Sequence, residues 1–246
     1  MHQFKYLVVS GLFVVMPMQV MANPNMAPII SYLILESTEV LTITSPTTNK
    51  IWMDRNLGAT MACTESRDSV NFADDAAYVV SQQDCFGDYY QWGRDADGHE
   101  KSDSATTSTQ ATDTSTVGHG DFITSGNENG YDWAQTVDGD GRIRETNWNP
   151  CPSGFRIPTS AEFDAEKEGI TNRDDAYTKL KLPSAGYRSG FYGSLNSQGL
   201  LGDIWSITVS NTVYYSSSVG LGFDSSTSLI GIGDRTGGQS VRCLKD

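Results

Sequence analysis

The residues of this chain that could do chemistry are mostly carboxylates carried on glycine turns. Asp95-Ala-Asp97-Gly-His99-Glu100 and Asp138-Gly-Asp140-Gly-Arg142 gather oxygen ligands in the way a hard cation such as Ca²⁺ requires. The spacing departs from an EF-hand. With Gly141 as the sixth loop position, Thr136 falls at the first and Asn147 at the twelfth, where carboxylates belong. Solvated acidic turns account for both stretches, so no cofactor is expected and Ca²⁺ is kept as the secondary expectation. Past residue 22 only His99 and His119 occur, both in polar loop sequence and both expected in solvent. There is no G-x-S-x-G elbow, no phosphate-binding loop and no H-E-x-x-H pair. Gly231-Ile-Gly233 lacks the third glycine of a dinucleotide fingerprint and sits among late strands. A non-enzymatic protein is expected, with a hydrolase as a minor alternative.

The cysteines are Cys63, Cys85, Cys151 and Cys243, with no C-x-x-C among them, which removes zinc knuckles and thioredoxin-type redox motifs. Four cysteines in an exported chain favour two disulfides, and three connectivities are open. The preferred pairing is Cys63 with Cys85 and Cys151 with Cys243. The first would close a loop of about 22 residues and the second one of about 92, the latter stabilising by roughly 4 to 5 kcal/mol on a chain-entropy argument.

Export is read from residues 1–22. Lys5 precedes an apolar run from Tyr6 to Met21, and Val20 and Ala22 stand where a signal peptidase would cut. Ser10, Gly11, Pro17 and Gln19 interrupt the run and it is short for a membrane span. A soluble secreted or periplasmic protein is expected, with association with the cell surface as one form of that expectation. The formal net charge of −13 repels nucleic acid and anionic membranes. No repeat and no internal linker divides the rest, so one domain is expected after an arm at 23–50 that ends in the first strand.

The elements that must position any site are short. Val40–Thr44 and Lys50–Arg55 read as a hairpin around the polar turn Ser45–Asn49. A short helix falls somewhere in Asp68–Ser81. Phe86, Tyr89, Tyr90 and Trp92 form the densest aromatic cluster and are expected in the core. Ser102–Thr116 is nearly all Ser, Thr, Asp and Ala and reads as an exposed excursion. Thr159 and Glu162 form a capping box that opens a helix at Ser160 and runs it to near Gly169. Lys181–Tyr187, Ile204–Val209, Val213–Ser217, Val219–Phe223, Leu229–Ile232 and Ser240–Leu244 then read as β pieces. Late antiparallel strands behind one or two helices give an α+β fold.

Several runs carry a resemblance. Trp52-Met-Asp-Arg-Asn-Leu-Gly58, Tyr89-Tyr-Gln-Trp-Gly-Arg94, Asn149-Pro-Cys-Pro-Ser-Gly-Phe-Arg-Ile-Pro-Thr159, Leu182-Pro-Ser-Ala-Gly-Tyr-Arg188, Trp205-Ser206 and Ser240-Val-Arg-Cys243 stand in the order and spacing of the Fibrobacter succinogenes major paralogous domain. The chain resembles that family over 51–246. The resemblance implies a C-type lectin-like fold: one or two helices on short antiparallel sheets, long irregular loops, and a Cys151–Cys243 disulfide pinning the last strand. Calcium-dependent lectins of this fold carry a W-N-D run just before the late cysteines, whereas Trp148-Asn149-Pro150 precedes Cys151 here. Phe155–Glu162 is also similar to formylglycine-generating enzymes, but only Cys243 stands where those use a cysteine pair.

The expected function is binding of a protein or glycan ligand through late loops. Phe191–Asp234 is rich in Ser, Gly, Tyr, Asn, Thr and Asp, the types recognition loops favour. The candidate contact positions are Ile207, Asn211, Tyr214, Ser216, Asp224, Ile230, Ile232 and Asp234. Their types match the residue set that retroelement-driven diversification of C-type lectin-like domains produces, so a variable display surface is one form of this expectation. The alternative is a structural or surface-associated component in which the acidic coat and Ser102–Thr116 serve assembly.

Overall fold

The computed structural model describes residues 39–114, 117–124, 132–135, 148–210 and 217–246. The signal at 1–22, most of the arm and the acidic turn Asp138–Arg142 lie outside the described residues. Residues 41–246 form one compact unit.

Its first hairpin pairs β1 (Thr42–Thr44) with β2 (Ile51–Met53), as the two apolar runs require. Ser45 closes the turn: its hydroxyl oxygen accepts the N–H groups of Thr47 and Thr48, each at 3.1 Å. Asn49 takes the left-handed conformation at φ 60°, which Asn tolerates better than most residues. Helix α1 (Asp75–Gln82) starts where Asp74 caps the Ala77 N–H, and a short 3₁₀ turn (Gln83–Cys85) follows. Strand β3 (Tyr90–Gln91) carries the aromatic cluster into the core. Phe86, Tyr89, Tyr90 and Trp92 are all buried.

Helix α2 (Ser160–Lys167) opens on the expected capping box, with Thr159 and Glu162 exchanging side-chain and backbone hydrogen bonds. Phe163 on its inner face stacks on Trp52 with ring centroids 5.6 Å apart. Glu166 points inward too, accepting from the Trp52 indole at 3.0 Å and the Ser45 hydroxyl at 2.5 Å, and from the Thr48 hydroxyl. One carboxylate therefore ties α2 to the first hairpin.

A third helix, α3 (Arg173–Leu180), corrects the expectation of one or two. Asn172 caps it, Ala176 and Leu180 supply its only buried positions, and Lys181 ends it at φ 55°. Two apolar residues four apart give too little periodicity to read a helix from sequence.

The strands make small sheets. β1, β2, β13 (Leu244–Lys245) and β6 (Phe155–Arg156) form one in that order, all antiparallel, so the last strand lies between the first hairpin and the strand before α2. β3, β12 (Gly238–Gln239), β7 (Tyr187–Arg188) and β8 (Leu195–Asn196) form a second. The third, in the order β11 (Ser228–Asp234), β10 (Ser217–Phe223), β9 (Gly202–Val209), has the longest strands and packs one face on the main core. Trp52, Phe163, Ile170, Leu180, Leu182, Ile204, Leu221, Phe223 and Leu244 fill that core. The class is α+β, as expected.

Ser102–Thr116 is better anchored than its composition suggests. Within it β4 (Thr106–Thr107) pairs with β5 (Phe122–Ile123) in parallel, and Ala111 is buried and bridged to Ala134. The Gln110 amide holds this stretch by donating to the carbonyls of Asp132 and Ala134. Lys181–Tyr187, expected as a strand, joins a ladder only at Tyr187: Lys181 is the left-handed end of α3, residues 182–185 are buried outside any ladder, and Gly186 makes a single bridge to Gly202. Both disulfides form in the preferred pairing: Cys63–Cys85 with Cα atoms 5.0 Å apart, and Cys151–Cys243 with Cα atoms 5.9 Å apart. Among the described residues no helix is long and apolar enough to cross a membrane.

Candidate functional site

The first acidic turn is structural. Asp97, His99 and Glu100 do bring ligand atoms within 4.8 Å of one another. His99, however, is fully buried, against the expectation of a solvated loop histidine. Its Nε2 accepts the backbone N–H of Gln91 at 3.1 Å, which leaves the proton on Nδ1, 2.8 Å from Asp97 Oδ1. Burial lowers its pKa, so the ring is held neutral. The other Asp97 oxygen accepts from Arg94 Nε at 2.9 Å, and Glu100 accepts the Gly98 N–H at 2.9 Å. Both ring nitrogens are committed within the protein, and the turn serves to lock β3 to the segment after it.

A different place gathers uncommitted polar groups. The face of the β9–β10–β11 sheet that turns away from the main core forms a groove of about 350 Å³. Its floor is glycine: Gly220 pairs directly with Gly231 across β10 and β11, and Gly222 and Gly233 flank them. Phe191 and Leu229 supply apolar lining, and Tyr187, Asp203 and Gln239 supply polar groups.

The four glycines differ in what they are for. A Cβ on Gly220 would stand 2.6 Å from the Ile204 carbonyl oxygen, and one on Gly233 would stand 2.9 Å from the Trp205 ring. Packing forbids a side chain at both. On Gly222 the nearest atom would be Asp203 Oδ1 at 3.1 Å, and on Gly231 only the tip of Leu229, at 2.6 Å, is within reach. Leu229 is about half exposed, so that tip is free to swing away. Neither Gly222 nor Gly231 has a positive φ. No backbone or core atom demands glycine at these two positions, and a side chain at either would fill the groove.

Asp203 stands opposite Gly222 in the β9–β10 ladder, which puts its carboxylate over the floor. It has no hydrogen-bond or ion partner among the described residues. Burial, with no compensating cation, pushes its pKa up to about 6. Asp234, at the end of the edge strand β11, is raised in the same direction by the same cause. The Gln239 side-chain amide, beside the missing Cβ positions of Gly220 and Gly233, makes no hydrogen bond among the described residues either. Neither Lys nor Arg lines the groove. The nearest arginines in sequence are spent internally: Arg188 donates to the carbonyls of Gly193, His99, Lys101 and Ser104, and Arg235 faces Asp132 at 3.2 Å.

The sequence-derived contact positions divide among separate places. Ile232 and Asp234 border the groove on the edge strand, at positions that alternate with the glycines and so turn their side chains to the other face. Ile230 lies against the main core. Ile207 sits where β9 passes the start of α2, its N–H donating to the Pro158 carbonyl at 2.9 Å. Asp224 caps the β10–β11 hairpin turn, its carboxylate accepting from the N–H groups of Ser226 and Thr227. Asn211, Tyr214 and Ser216 lie outside the described residues. Asp203, Gly222, Gly231 and Gln239 were missed. Their signal was present as Gly220-Leu-Gly222 and Gly231-Ile-Gly233, two alternating glycine pairs on successive strands that put bare backbone on one sheet face.

Comparison with known protein families, with curated proteins and with solved structures finds no match for this chain.

Proposed function

We propose that this chain is an exported, non-enzymatic binding protein of C-type lectin-like organisation whose ligand site is the glycine-floored groove of the β9–β10–β11 sheet. The observation that carries the reading is the pairing of dispensable glycines with an unpartnered carboxylate. Gly222 and Gly231 keep space open that packing would tolerate being filled, and Asp203 sits over that space at an electrostatic cost. Groups kept open and uncompensated in a folded protein are what a ligand would compensate. The lectin-like part is supported by the placement of β13 between β2 and β6, and by the 92-residue span of the Cys151–Cys243 link. A protein or glycan partner reaching this groove would also meet the half-exposed Leu229.

The test is capture on peptide and glycan arrays by the full chain and by Gly231→Leu, with thermal melts confirming that both are folded. Loss of captured ligands in the variant, with capture retained when Ile207 is changed to Ala, is the expected result. Capture untouched by Gly231→Leu would rule the groove out as the site.

A further inference from the structure

We infer that the groove takes an organic cation, a primary ammonium on an apolar stem, with Asp203 as the counter-charge. This rests on the groove being the binding site. The lining holds the Asp203 carboxylate, which has no partner among the described residues, and no basic residue. An anionic ligand would meet like charge, and a neutral apolar one would leave the Asp203 carboxylate desolvated and unpaired. A cation relieves that cost. The net charge of −13 on the whole chain draws cations toward the surface as well.

An organic cation fits the groove better than a metal ion. Ca²⁺ asks for six to eight oxygen ligands arranged around one point, whereas the groove offers one carboxylate, one amide and an apolar lining. Leu229 and the open C–H surface over Gly222 and Gly231 suit a methylene stem, and the Phe191 ring supplies an aromatic face of the kind cations favour. The same chemistry has two sources, a free polyamine or a lysine side chain of a peptide.

Titration of the isotope-labelled full chain, followed by backbone amide shifts, tests the assignment. n-Pentylammonium should give saturable shifts at Gly222 and Gly231, and n-pentanol, the same stem without charge, should not. Asp203→Asn should weaken the ammonium at least about tenfold, as expected for loss of a charge-assisted contact, and Asp164→Asn, on the exposed face of α2, should not. Tighter binding of spermidine than of a blocked Gly-Lys-Gly peptide would identify a polyamine as the source, and the reverse order a peptide. Equal binding of pentanol and pentylammonium would overturn the cation assignment, and that comparison needs no variant. Absence of any ammonium shift, with Gly231→Leu still abolishing array capture, would overturn the cation and leave the groove standing; capture that survives Gly231→Leu would remove the groove itself.

Discussion

Asp203 and Gly222 face each other across the β9–β10 ladder, and a Cβ on Gly222 would stand 3.1 Å from the Asp203 Oδ1. The glycine thus gives the carboxylate its room, and the carboxylate's burial sets a pH dependence. The folded pKa is raised to about 6 from 3.8. A raised pKa means that the folded state holds the proton more tightly than the unfolded chain. The stabilisation is therefore complete below about pH 4 and is lost as pH rises through 6. Allowing for solvent reaching the partly exposed side chain, the loss is on the order of 1 to 2 kcal/mol. Asp203→Asn should be more stable than the parent at pH 7.5 and indistinguishable from it at pH 4, measured by urea unfolding at the two pH values.

Arg242 makes a different demand. Its guanidinium is fully buried and donates to Asn56 Oδ1 at 3.1 Å and to the carbonyls of Met53, Leu180 and Lys181 at 3.0, 2.7 and 3.1 Å. Burial without a carboxylate partner pushes its pKa down to about 9. Only a planar fork reaches four acceptors on two separate segments at once. Arg242→Lys keeps the charge but leaves carbonyls unmet, and should cost roughly 3 kcal/mol in chemical denaturation. A cost within about 0.5 kcal/mol, the range of an ordinary surface substitution, would mean that the fork is replaceable.

The Cys151–Cys243 bond spans 92 residues and fastens the segment before β6 to the segment before β13. Replacing both cysteines by serine should lower stability by about 4 kcal/mol. The same change at Cys63 and Cys85, spanning 22 residues, should cost about 3 kcal/mol. Peptide mapping without reductant checks the pairing directly. Recovery of Cys63 bonded to Cys243 would contradict both estimates.

Most of the fold was legible because its signals are local or strongly apolar. The capping box at Thr159 and Glu162 involves four consecutive residues, and the tryptophans hide their rings in a core where their N–H groups find acceptors, as Trp92 does at the Ser206 carbonyl and Trp205 at that of Tyr90. What was hidden depends on which groups the folded chain brings face to face. His99 looks solvent-bound in sequence and is buried because Gln91 and Asp97 satisfy both ring nitrogens. The groove was hidden for the same reason: Gly220 and Gly231 become one surface only through the β10–β11 register.

That register supplies the sharpest prediction, because it separates glycines kept for packing from glycines kept for space. Gly233→Ala would push a Cβ to 2.9 Å from the Trp205 ring and 2.5 Å from Gln239 Nε2. The ring is fully buried and its indole N–H is held by the Tyr90 carbonyl, so it cannot retreat. Overpacking of this kind costs about 1 to 3 kcal/mol. Gly231→Ala meets only the mobile tip of Leu229, and a strand glycine replaced by alanine loses less chain entropy on folding, a gain of about 0.4 to 1 kcal/mol where the conformation allows it. Thermal melts should therefore place Gly231→Ala at or above the parent and Gly233→Ala clearly below it. If Gly231→Ala proves as damaging as Gly233→Ala, glycine at 231 is there for the fold, and the case for a groove kept open for a ligand falls with it.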